Sequence, residues 1–108
     1  MNLMQFYDKI SSDSENKSAR NAKFFSEEVT VYNILNGTFK DEDIKKIKMS
    51  PSISSPVFDI TLATQNIASC AENNLDNQIV LGAYKPLYKV NATATDFTLT
   101  IKLDEVRE

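Results

Sequence analysis

Residues able to do chemistry are sparse in this chain, and the gaps among them say as much as their positions. The 108 residues include no histidine, one cysteine (Cys70) and two glycines, Gly37 and Gly82. Without histidine the commonest general base is missing, and with it Ser-His-Asp and Cys-His catalysis. A histidine-containing zinc site is equally impossible, and one thiol does not build a thiolate site. Two isolated glycines spell neither a Walker A loop nor a dinucleotide fingerprint. No metal and no cofactor is expected.

Three candidates remain. Cys70 would need a neighbouring cation or a helix N-terminus to become a nucleophile. As a small residue on a helix it is expected to be buried instead. Asp41, Glu42 and Asp43 offer oxygen ligands for a hard cation, but lack the alternation, the glycine and the closing glutamate of a calcium loop. The start of a solvated helix accounts for them. The fifteen acids of the chain supply many carboxylate pairs for glycoside chemistry, and no motif selects one. The third candidate is a binding surface. Tyr84 and Tyr88 stand beside Lys85 and Lys89, a combination that suits the centre of a protein interface or a stacking surface for nucleic acid.

The elements that must carry these residues follow from hydrophobic periodicity. Leu3, Phe6, Tyr7 and Ile10 mark one face of a short helix. Ser11 and Ser12 interrupt it, and Ser12 with Glu15 has the spacing of a capping box. Ala22, Phe25, Val29 and Tyr32 then predict one long helix over about 13–36, with Gly37 as its left-handed cap. A hairpin at Asn36-Gly37 is the competing reading. DEDIKKIKM reads as a further helix, its acids at the N-terminal end and Ile44 and Ile47 facing inward. SPSISSP, 50–56, is a short linker.

Beyond the linker the period changes to two. Phe58, Ile60 and Leu62 alternate with Asp59 and Thr61 as a half-buried strand. TQNIASCAENN predicts a short helix with Ile67, Cys70 and Ala71 on its inner face. QIVLGAY, LYKVNAT and TDFTLTIKLDE form a meander, with a turn at Lys85-Pro86. In its last strand Phe97, Leu99, Ile101 and Leu103 face a core, while Thr98, Thr100, Lys102 and Asp104 face water or a partner. TDFTLTI, 95–101, resembles a strand of immunoglobulin light-chain variable domains, but that fold needs two core cysteines and a core tryptophan. The chain has one cysteine and no tryptophan.

These elements predict an α+β fold: N-terminal helices packed on a small, mostly antiparallel sheet of about four strands. One domain is expected over 1–108, with a helical part at 1–49 and a strand-rich part at 57–108. Composition agrees with a globular protein, at 42% hydrophobic and 25% charged residues. The net charge of −3 is too mild to attract a phosphate backbone over long range. No stretch approaches the length of a membrane helix or the pattern of a signal peptide. A cytoplasmic protein is expected, or a virion-associated one if phage-encoded.

With catalysis short of parts, binding becomes the expectation. The sequence points to a small, acidic, non-catalytic protein that docks on another protein as an adaptor, inhibitor or immunity-type factor. The contact residues are expected to be Tyr84, Tyr88, Lys89, Thr98 and Thr100. One alternative is a phage or assembly subunit acting as a homo-oligomer through a strand edge. The other is a winged-helix regulator, disfavoured because the acids 41–43 would meet the DNA phosphates first.

Overall fold

A computed structural model of the chain describes residues 1–15, 19–50, 56–82 and 86–106, of which 13–15 and 19–24 are described by backbone alone. Its described elements, in chain order, are α1 (Leu3–Glu15), α2 (Ala19–Thr38), a 3₁₀ turn (Asp41–Asp43), β1 (Ile44–Ser50), β2 (Val57–Leu62), α3 (Gln65–Leu75), β3 (Ile79–Leu81), β4 (Leu87–Thr95) and β5 (Thr98–Val106). All strand pairs are antiparallel and the sheet runs β1-β2-β5-β4-β3. This is the α+β arrangement that the sequence predicts, with five strands rather than four.

One face of the sheet carries the core. Register sets Phe58 opposite Ile101 and Ile60 opposite Leu99 across β2 and β5. Across β5 and β4, Leu103 faces Val90 and Ile101 faces Ala92. All seven are buried, and Leu3, Phe6, Ile10, Phe25, Val31 and Leu35 of the helices join them in one cluster. Phe6 lies 5.9 Å from Phe58 between ring centroids, which pins α1 to the middle of the sheet. α3 packs on the same side through Ala68 and Ala71.

Local signals explain where the elements begin. Asn2 caps α1: its side chain accepts from the Gln5 amide at 2.8 Å, and Gln5 returns the bond to the Asn2 amide at 2.9 Å. These bonds satisfy amides that a helix start otherwise leaves open. Thr64 does the same for α3 by accepting from the Ile67 amide at 3.1 Å. Asn77, at φ 68°, ends that helix in the left-handed region, which asparagine tolerates better than most residues.

Several expectations are corrected. DEDIKKIKM is a 3₁₀ turn followed by strand β1. A bulge between Ile44 and Lys46 puts an extra residue into the strand, so Ile44 and Ile47 share the buried face three residues apart. A bulged strand thus imitates a helical spacing. The recognition helix of a winged-helix protein is therefore not formed here. The single helix over 13–36 is instead two, because α1 runs through Ser11 and Ser12 to Glu15 and α2 starts at Ala19. Ser12 and Glu15 hence start no helix. α2 continues through Gly37, which has no positive φ, so neither the cap nor the hairpin forms there. Phe97 sits in the two-residue turn between β4 and β5, after Asp96 at φ 54°, and is 45% exposed. Most of the linker (51–55) and part of the turn before β4 (83–85) lie outside the described residues.

The rim of the sheet is occupied by side chains. β3 covers only part of β4, and beyond it two carboxylates of α3 and its cap take over. Asp76 accepts from the Ala92 amide at 3.0 Å, and Glu72 accepts from the Ala94 amide at 2.7 Å. An uncovered strand edge is a template for pairing with another chain, and these acids fill its amide positions. Replacing Glu72 and Asp76 by alanine is expected to cost about 1 kcal/mol each in urea denaturation. The double variant is also expected to self-associate in light scattering more than the parent. An unchanged stability would contradict this role.

Candidate functional site: the uncovered face of the sheet

Alternation sends every second strand residue away from the helices, so the far face of the sheet is uncovered. Its composition can be read along the cross-strand rows. One row runs Lys46, Thr61, Thr98, Thr95, and the next runs Lys48, Asp59, Thr100, Thr93. A third sets Val57 beside Lys102 and Asn91, and a fourth sets Asp104 beside Lys89 and Ile79. A block of threonines lies toward the β4–β5 turn, with Lys46 and Lys48 beside it on β1 and Lys102 and Lys89 farther along β5 and β4. Four lysines against two aspartates leave this face at +2, within a chain of net charge −3.

The two aspartates are engaged. Thr100 donates to Asp59 at 2.8 Å, and Asn91 donates to Asp104. Lys46, Lys48 and Lys89 are exposed, and Lys102 is half-buried. The face is a flat polar platform with its anions bound locally and its cations reaching water.

Of the predicted contact residues, the structure brings Lys89, Thr98 and Thr100 together on this face. Tyr84 lies outside the described residues. Tyr88 does not face solvent. It is 2% exposed, and its hydroxyl hydrogen-bonds Ser26 of α2 at 3.1 Å. It shares the inner face with Val90 and Ala92, and the alternation L-Y-K-V-N-A-T already implies that parity. Gly82 makes room for the ring, because a Cβ there would come within 2.5 Å of Tyr88 Cε2.

The remaining candidates divide otherwise. Cys70 is exposed rather than buried. The inner face of α3 is formed by Ala68 and Ala71, with Ile67 and Leu75 packed against the core, which turns Cys70 outward. Asp41 and Glu42 are exposed on the 3₁₀ turn, and Asp43 closes it by accepting from the Lys40 amide at 3.4 Å. Among the described residues no three acid or thiol side chains are grouped to hold a metal ion. Lys46, Lys48 and Thr93 are among the members of the platform that the sequence did not single out as contact residues. The first two were assigned to a helix, and the pairing that joins Thr93 to the others is visible only in the register.

Comparison with protein-family models, with curated proteins and with solved structures finds no match. Among the described residues no helix is long and apolar enough to cross a membrane.

The buried Tyr88 yields a pH test. Burial raises its phenol above the ordinary value of 10.0, with Glu27 and Glu105 adding to the rise and the Ser26 hydrogen bond opposing it. A raised folded value favours the neutral phenol, so its stabilisation is complete below about pH 10 and is lost as pH rises through the folded value. Tyr88→Phe is expected to be less stable than the parent by about 1 kcal/mol at pH 7. That difference should shrink above pH 10 in urea titrations. A difference constant with pH would contradict the assignment.

Proposed function

We propose that the protein is a non-catalytic binding module that docks an acidic partner protein on the uncovered face of its sheet. The carrying observation is the charge contrast: a face at +2 on a chain of −3, with a block of threonines beside its lysines. Such a contrast orients an encounter and selects partners of opposite sign, more than it adds affinity. The threonine hydroxyls supply donors and acceptors at fixed cross-strand spacing, with little side-chain entropy to lose. An acidic protein surface fits this face better than a single-stranded nucleic acid. Among the described residues the platform presents no aromatic ring on which bases stack, and two of its members are aspartates. An adaptor, inhibitor or immunity-type role in the cytoplasm is the setting in which this module would work.

A second reading has its own observation. Ile79 and Leu81 of the edge strand β3 are 53% and 69% exposed, and Leu81 stands in one row with Leu87 and Val106. An aliphatic edge of this kind suits self-association in an assembly. The two readings separate in one experiment. A protein retained from host extract by the parent should be lost at least tenfold in a Lys48→Glu/Lys102→Glu variant of unchanged thermal midpoint. Equal retention by both would remove the platform from the interaction. Recovery of nucleic acid in place of protein would overturn the choice of partner. A dimer in light scattering that Leu81→Lys abolishes would favour the assembly reading instead.

A further inference from the structure

A second candidate site lies on the helical side, away from the platform and independent of it. The start of α1, the end of α2 and the 3₁₀ turn enclose a groove of about 260 Å³, lined by Leu3, Met4, Tyr7, Tyr32, Asn36 and Asp41. The sequence pattern assigns Tyr7 to the inner stripe of α1, yet it is 53% exposed. Its neighbours Leu3, Phe6 and Ile10 fill the space above the sheet, which leaves Tyr7 at the margin of the stripe. There it meets Tyr32, with ring centroids 5.5 Å apart and planes inclined at 53°. Phe6 supports Tyr32 by an edge contact at 6.3 Å. The two rings pack against each other and form one inclined aromatic wall on a fixed base.

The rest of the lining decides what such a wall would hold. Leu3 and Met4 are aliphatic, and among the described residues no basic side chain lines the groove. Asn36 contributes an amide, and Asp41 a carboxylate. The backbone of Asp41 is held in place because its carbonyl accepts from the Ile44 amide. Its carboxylate makes no ion pair with any described residue. An anion would be repelled here, and a purely aliphatic group would leave the carboxylate's field unused. A cation with flat faces uses every wall. Aromatic faces attract cations through their quadrupole, and a carboxylate pairs with a guanidinium through two parallel hydrogen bonds. Guanidinium also sheds its water more readily than an ammonium and stacks on rings.

We propose that this groove seats the guanidinium of an arginine side chain presented by another protein. The test is a titration of the ¹⁵N-labelled chain with N-acetyl-arginine amide. The comparison probes are N-acetyl-lysine amide and N-acetyl-citrulline amide, the latter matching arginine in shape without its charge. Saturable amide shifts are expected for residues of 3–7, 32–36 and 41 with the arginine probe. The lysine probe should bind severalfold more weakly, and the citrulline probe should leave these amides unmoved. Asp41→Asn should weaken the arginine probe about threefold to fivefold, the scale of an exposed ion pair. Tyr7→Ala should weaken it by a similar factor, and Tyr7→Phe should restore it because the ring face is kept. Tyr7 is exposed, so these variants should fold, with circular dichroism as the check. Shifts of the same size with citrulline, shifts confined to other residues, or no saturable shift at all would overturn the proposal. None of these outcomes bears on the lysine and threonine platform, whose charge-reversed variant keeps the groove intact.

Discussion

Phe58 and Ile60 of β2 lie against Ile101 and Leu99 of β5 in the centre of the sheet, and the strip they form must be removed from water. Strand pleating places all such residues on one side, so a single helical layer can cover them. Phe6 sits over Phe58 and fixes where that layer lands. α2 reaches the sheet at the Ser26–Tyr88 hydrogen bond, and Lys9 ties α1 to α2 through Glu28 at 3.4 Å. Because all three helices pack on this side, the opposite face is left to solvent. Its residues carry no packing duty, and their identity is free to serve recognition. A threonine block beside lysines is therefore more informative there than the same residues would be in a core.

A one-layer sheet also has edges to protect, and this chain protects them unevenly. On β1, Met1 and Ile47 exchange hydrogen bonds of 2.8 and 2.5 Å, and the bulge and Lys45, Lys46 and Lys48 discourage further pairing. On β4, Glu72 and Asp76 occupy the amides that β3 does not reach. Among the described residues, β3 presents exposed aliphatic side chains, Ile79 and Leu81, at its rim. This gives several acids a structural duty: Glu72, Asp76 and Asp43 each satisfy a backbone amide. Acids that looked like loose chemistry in the sequence hold the chain in shape.

Much of the architecture was legible from periodicity. β2 and β5 alternate cleanly, so Phe58, Ile60, Leu99 and Ile101 could be assigned to the core and Thr98 and Thr100 to the open face. β1 was not legible, because a single bulged residue shifts the spacing of Ile44 and Ile47 from two to three and makes it look helical. Phe97 was misread for a related reason, since the alternation stops at a turn that the pattern does not show. Tyr88 was readable and was overruled: its parity with Val90 and Ala92 places it inside, while its neighbour Lys89 suggested a surface. The groove around Tyr7 and Asp41 could not be read at all. It joins three segments whose proximity is created only by α1 and α2 packing side by side.

The central claim is that the uncovered sheet face is the surface on which the acidic partner docks. Backbone amide mapping of the ¹⁵N-labelled protein, with and without an isolated acidic partner, tests this most directly. The account predicts that the largest perturbations fall on Lys46, Lys48, Asp59, Thr93, Thr98, Thr100 and Lys102, on strands that adjoin across the sheet. Perturbations confined to α1, α2 and α3, with the platform unmoved, would contradict it.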